Sequence, residues 1–187
     1  MKMNAYIAGV GMTRFGKHMD ISLKGLAGKA IREALADANI DSSALEVAYM
    51  GNAAGGVVQG QEMISGQVAL RELGIGKIPV INVENACATS STAFHQACAM
   101  VSLGAYDVAL VCGFEKLFHE DKLRSFAAFD GAVDTESPEG VMGALKILAA
   151  KAPVSAPCPA EVPNTSVTTG TSPCRSATSC RSPGLFG

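Results

Sequence analysis

The stretch VINVENACATSSTAFHQACAMVSLGAYDVALVC, residues 80–112, decides the fold class. Pro79 opens a β-branched run, Val80–Val83, that reads as a strand. A three-residue turn follows (Glu84, Asn85, Ala86). The pattern then becomes a long helix from about Cys87 to Leu103, apolar on most faces and therefore expected to be buried. Tyr106–Cys112 returns to a strand, and its VALVC core lacks the alternation of a half-solvated strand, as expected when both faces are covered. Strand, helix and strand in close succession make a crossover unit with parallel strands.

The same rhythm extends upstream. Residues 5–12 (AYIAGVGM) read as a buried first strand running into a glycine-rich loop. Ser22 is placed to cap a helix in which Leu23, Leu26, Ala27, Ala30, Ile31, Ala34, Leu35 and Ala38 recur at helical spacing. Val47–Met50 is a second strand, stopped by a loop over Gly51–Gly56. A helix over about Glu62–Leu73 ends at Gly74 and Gly76. The order β-α-β-α-β-α-β predicts an α/β fold, a mainly parallel sheet with helices on both faces.

Downstream the rhythm fades. Residues 1–118 read as one half-domain, and 119–150 as the start of a loop region with a charged connection and one short helix over Val141–Ala150. Residues 151–187 form a low-complexity tail. Six of the eight prolines fall in those last 37 residues, among many Ser and Thr, so the tail is expected to be disordered.

Composition narrows the function classes. With 48% apolar residues the chain can bury a sizeable core, and a net charge of −2 with interspersed signs gives no footprint for nucleic acid or an anionic membrane. No run reaches the roughly 18 apolar residues of a membrane-spanning helix, and Met1–Met12 lacks a signal-peptide pattern. A cytoplasmic protein is the expectation. Of six cysteines, Cys158, Cys174 and Cys180 lie in the tail with no CxxC pair and no accompanying histidine, so no metal site is expected. Gly9, Gly11 and Gly16 do not have the spacing of a dinucleotide-binding turn. Glu115 and Lys116 are expected to pair with each other near a strand end.

Cys87 carries the chemical signal. It follows a strand and opens a helix, where unpaired N–H groups carry partial positive charge that favours thiolate over thiol. Those groups can also bond an oxyanion formed when the sulfur attacks a carbonyl. Ala88, Thr89, Ser90 and Ser91 keep the first turn small enough for a substrate to approach. The end of a parallel strand is also where open α/β sheets bind ligands. The local pattern alone leaves a second reading open, in which Cys87 is a small buried residue.

Residues 80–94, VINVENACATSSTAF, resemble the nucleophile segment of thiolases, which carries the acyl-accepting cysteine. GNAAGGVVQGQEMISGQVALRELGI (51–75), AYIAGVGMTRFGK (5–17) and DVALVCGFEKL (107–117) resemble the flanking segments in the same order. GFEK is similar to the branch of sterol-carrier-protein thiolases and archaeal and bacterial acetyl-CoA acetyltransferase-like proteins. The resemblance spans about residues 5–135. It implies acyl transfer between acyl-CoA molecules through a thioester on Cys87, with coenzyme A as substrate and no permanently bound cofactor. It also implies a homo-oligomer and, in this branch, a small zinc-ribbon/OB-fold partner protein. The alternative is a non-catalytic carrier of acyl-CoA on the same fold. One departure is Ser90, where thiolases often have Gly.

In complete thiolases a histidine and a second cysteine or equivalent base come from the other half of the protein. The histidines present do not replace them. His95 stands eight residues beyond Cys87, roughly 12 Å along one helix, and is read as a packed or interface residue; His18 and His119 are read as loop residues. The chain alone is therefore expected not to turn over. The change in character near residues 140–150 points to a frame shift, and the coding DNA is expected to show a globular continuation in another frame; its absence would count against that reading.

Overall fold

The computed structural model describes residues 3–137, 139, 140, 143, 146 and 147. All elements below lie in one unit, residues 1–145; of the second unit, 146–187, only the first two residues are described.

Helix α1 (Leu23–Ala38) starts where Ser22 Oγ accepts from the Gly25 amide at 3.2 Å. It stops at Asn39, whose left-handed backbone turns its amide onto the Leu35 and Ala36 carbonyls. Strand β1 (Val47–Gly51) follows, then the short helices α2 (Gly55–Gln59) and α3 (Ser65–Arg71) and strand β2 (Val80–Val83). A 3₁₀ turn over Ala86–Ala88 leads into α4 (Thr89–Ser102), strand β3 (Ala109–Gly113) and helix α5 (Lys122–Asp130). The sheet has the order β2-β1-β3, and both pairings are parallel, with Tyr49 opposite Ile81 on one side and Val111 on the other.

Side chains alternate across the central strand, and each face is covered. Ala48 and Met50 of β1, with Leu110 and Cys112 of β3, pack on Ala27 and Ile31 of α1 and Ala69 and Leu70 of α3. On the opposite face Val47, Tyr49 and Val83 pack on Ala93 and Ala97 of α4. All five residues of β1 are buried, which is the three-layer arrangement expected of a parallel strand at the centre of a sheet. Burying a side chain the size of Met50, Ile31 or Leu70 contributes about 1.5–3 kcal/mol.

Several expectations are corrected. Residues 5–12 are not a strand: they form no ladder, and Tyr6, Ile7, Val10 and Met12 are exposed. Two of their amides are instead taken by acidic side chains of α1, Val10 by Asp37 (2.8 Å) and Met12 by Glu33 (3.3 Å). The sheet therefore has three strands among the described residues, not four. Helix α4 buries only Thr89, Ala93 and Ala97 and leaves Phe94 and His95 exposed, because one of its faces lies on the sheet and no described element covers the other.

Helix α3 starts later than predicted, since Ile64 adopts a left-handed backbone. The Gly51–Gly56 loop closes into α2, with Asn52 Oδ1 accepting from the Gly55 amide at 2.8 Å. The charged connection contains α5, begun by Asp121 accepting from the Leu123 amide at 3.0 Å. The tail after residue 150 and most of the helix predicted over Val141–Ala150 lie outside the described residues.

Candidate active site

The turn between β2 and α4 is held in a costly conformation by named bonds. Ala86 sits in the left-handed region (φ 44°), which costs a residue with a Cβ roughly 1–2 kcal/mol. Its amide donates to Glu84 Oε1 (2.6 Å), and its carbonyl accepts from the Thr89 hydroxyl (2.7 Å). The Asn85 amide donates to Thr89 Oγ1 (2.8 Å), and Asn85 Nδ2 donates to Thr92 Oγ1 (2.9 Å). Thr89 is the one buried polar side chain among the described residues, and its hydroxyl joins both sides of the turn.

Cys87 rides on this turn. The sequence reading starts the helix at Cys87, whereas the α-helix begins two residues later and the cysteine is the middle residue of the 3₁₀ turn. Its side chain is exposed, so the reading of Cys87 as a small buried residue does not hold.

The first turn of α4 sits directly on the ends of two strands. A Cβ at Gly113, the last residue of β3, would overlap Ser90 Oγ; one at Gly51, the last of β1, would stand 2.9 Å from Thr89 Cγ2. Glycine at both strand ends is what this approach requires. It also accounts for Ser90: the serine occupies space that Gly113 leaves open.

A groove of 630 Å³ opens beside the turn, lined by Cys87, Ser90, Glu115, Phe15, Phe118 and Phe129 among others. Glu115 does not pair with Lys116 as expected. Its Oε2 accepts from the Ala53 (3.0 Å) and Ala54 (2.9 Å) amides, and its Oε1 from Asn52 Nδ2 (3.3 Å). Lys116 Nζ donates to the Ile21 carbonyl at 2.8 Å. The carboxylate thereby clamps the loop that leads into α2 to the segment just after β3, and Ala53, Ala54 and Glu115 line the same groove as Cys87.

His18 lines the same groove from a loop, with Nε2–H donating to the Arg14 carbonyl at 2.6 Å. His95 is exposed rather than packed. His119 is a loop residue whose Nδ1 accepts from the Asp121 amide at 3.0 Å. Among the described residues no three His, Cys, Asp or Glu side chains gather as a metal site, and no helix is long and apolar enough to cross a membrane.

Residues 5–149 match the family described as thiolase, N-terminal domain. The chain belongs to the thiolase family. This thiolase-family chain is 39% identical over 146 residues to the benzoylsuccinyl-CoA thiolase subunit BbsB of Thauera aromatica, covering 76% of this chain and 35% of that protein. It is 38% identical over 130 residues to an acetyl-CoA acetyltransferase of Methanocaldococcus jannaschii, covering 70% and 32%. It is 40% identical over 119 residues to sterol carrier protein 2 of Gallus gallus, covering 63% and 21%. The chain thus spans about a third or less of the length of these relatives.

The sequence reading placed Glu84 in the turn, Thr89 in the first helical turn and Gly51 in a loop, but missed the bonds and contacts they make there, and it gave Gly113 no role. Thr89 was the most accessible of them, as a hydroxyl side chain just past a strand-to-helix turn, where local backbone bonds are common. The two glycines carry no local signal, because their contacts come from a helix distant in sequence.

The two central cysteines separate by environment. Burial pushes the Cys112 thiol up to about 12, because the anion would sit in the apolar layer under α1. Peptide mapping after iodoacetamide treatment of the native chain is expected to find Cys87 modified and Cys112 intact. Equal labelling of the two would contradict these positions. Since the Cys112 proton is lost more easily in the unfolded chain, its effect on stability is absent below pH 9.0. Above that, stability falls by up to about 1.4 kcal/mol per pH unit, measurable by denaturant titration.

Proposed function

We propose that this chain accepts an acyl group from acyl-CoA on Cys87, the first half of a thiolase reaction. The observation that carries the reading is an exposed cysteine on a bonded strand-to-helix turn, at the edge of a groove large enough to admit a substrate. Membership of the thiolase family supports the same reading.

In the proposed step Cys87 Sγ, as thiolate, attacks the thioester carbonyl of acyl-CoA. The carbon–sulfur bond to CoA breaks, the acyl group stays on Cys87, and CoA leaves as a thiolate that takes up a proton. The amides just after Cys87 are not free for the oxyanion, contrary to the sequence expectation: Ala88 N–H donates to the Asn85 carbonyl (2.9 Å) and Thr89 N–H to the Ala86 carbonyl, so in this reading the donors for the tetrahedral intermediate come from elsewhere. The Glu115 clamp is a positioning element: it holds the Asn52–Ala54 loop, whose Ala53 and Ala54 line the groove that Cys87 also lines. The C–C bond-forming or bond-breaking half of the reaction needs a base acting on the second substrate. In this reading that base comes from outside the region shared with the relatives, as do the oligomeric assembly and any zinc-ribbon partner.

The test is incubation of the purified chain with radiolabelled acetyl-CoA. The expected result is a hydroxylamine-labile label on the Cys87 peptide that Cys87→Ala abolishes. Label that survives Cys87→Ala, or no label on the wild-type chain, would overturn the reading. Saturable acetyl-CoA binding without label would favour a carrier on the same fold.

A further inference from the structure

Thr89, the first residue of α4, is 5% exposed, and its two side-chain branches have separate tasks. Cγ2 lies against Gly51 at the end of β1, where the glycine leaves it room. Oγ1 serves the turn that carries Cys87. It accepts from the Asn85 amide at 2.8 Å and donates to the Ala86 carbonyl at 2.7 Å. A hydroxyl can serve an N–H donor and a C=O acceptor at once; a methyl group in its place serves neither.

Cys87 is the middle residue of the Ala86–Ala88 turn, so the direction of its side chain follows the backbone of its two neighbours. One of them, Ala86, holds a left-handed backbone that a residue with a Cβ leaves when nothing restrains it. The bonds that restrain it are not equivalent. Those from the Ala86 amide to Glu84 and from Asn85 to Thr92 are exposed, so water can stand in for either side chain. The two bonds to Thr89 Oγ1 are partly buried and end on a buried side chain. Their loss is therefore the one that solvent repairs least.

We infer that Thr89 is a positioning residue for the nucleophile: its hydroxyl, bonded on both sides of the Asn85–Ala86 peptide, fixes the direction in which Cys87 is presented to the groove. Without it Ala86 relaxes toward an ordinary backbone angle, and the sulfur leaves its line of approach to a bound carbonyl. The assignment rests on the acyl-transfer reading of Cys87, and Thr89 acts through the turn rather than on the acyl group.

The side chain can be divided by substitution. Thr89→Val keeps both branches but removes the hydroxyl, whereas Thr89→Ser keeps the hydroxyl and removes the methyl. The test measures labelling of Cys87 by radiolabelled acetyl-CoA over a concentration series, at a temperature below the onset of unfolding of each chain. Thr89→Ser is expected to stay within about threefold of the wild-type saturating rate. Thr89→Val is expected to lose at least about tenfold in that rate, since a misplacement of about 1 Å can cost about a hundredfold. Its half-saturating concentration is expected to change by less than about threefold, because the groove is left intact. A wild-type saturating rate in Thr89→Val, equal loss in Thr89→Ser, or a change confined to the half-saturating concentration would overturn the assignment. If the wild-type chain takes no label, the acyl-transfer reading fails by itself, and the rate of iodoacetamide alkylation of Cys87 decides the role of Thr89. Slower alkylation in Thr89→Val than in Thr89→Ser sustains the role, and equal rates overturn it. Should Thr89→Val not fold, Thr89→Ala takes its place, differing from Thr89→Ser by the hydroxyl alone.

Discussion

The seat of α4 on the ends of β1 and β3 is the contact on which the rest of the structure depends. A helix of ordinary side chains cannot approach two strand termini so closely. Here Gly51 and Gly113 remove the atoms that would stand in the way of Thr89 and Ser90. Within the turn, Thr89 Oγ1 reaches both the Asn85 amide and the Ala86 carbonyl. Those bonds hold Ala86 in a backbone region it would otherwise avoid, and the resulting turn presents Cys87 to the groove.

The energetic balance at the turn is local and close. The left-handed alanine costs roughly 1–2 kcal/mol, and each of the bonds holding it contributes about 0.5–1.5 kcal/mol. The strain persists because several bonds act together; loss of the Thr89 hydroxyl alone would leave both the Asn85 amide and the Ala86 carbonyl without that partner. Strained residues held by their surroundings are a recurring feature of functional sites. The strain at Ala86 immediately precedes the candidate nucleophile, and the neighbouring groove wall is fixed independently through Glu115.

What could be read from the sequence follows the range of the interactions. Strand β2, the core of β1 and the Ser22 cap carry their signals in adjacent residues, and all were legible. Cys87 was legible as the residue where a strand pattern gives way to a helix. Residues 5–12 have the composition of a strand, but strand identity requires a pairing partner, and their amides at Val10 and Met12 found α1 carboxylates instead. Glu115 invited pairing with adjacent Lys116, yet the amides that win it belong to residues 53 and 54, more than sixty positions away. Helix α5 was hidden because Leu123, Phe126 and Phe129 are exposed among charged residues, so its apolar spacing is not reinforced by burial.

The seat of α4 is tested most directly by a double-mutant cycle on Gly113→Ala and Ser90→Gly, followed by denaturant unfolding. A new Cβ at position 113 is expected to cost about 1–3 kcal/mol against Ser90. Most of that cost should disappear when Ser90→Gly is already present, giving a clear coupling energy. If the two changes add within about 0.5 kcal/mol, the helix does not rest on the strand ends as described, and the account of how Cys87 is presented fails with it.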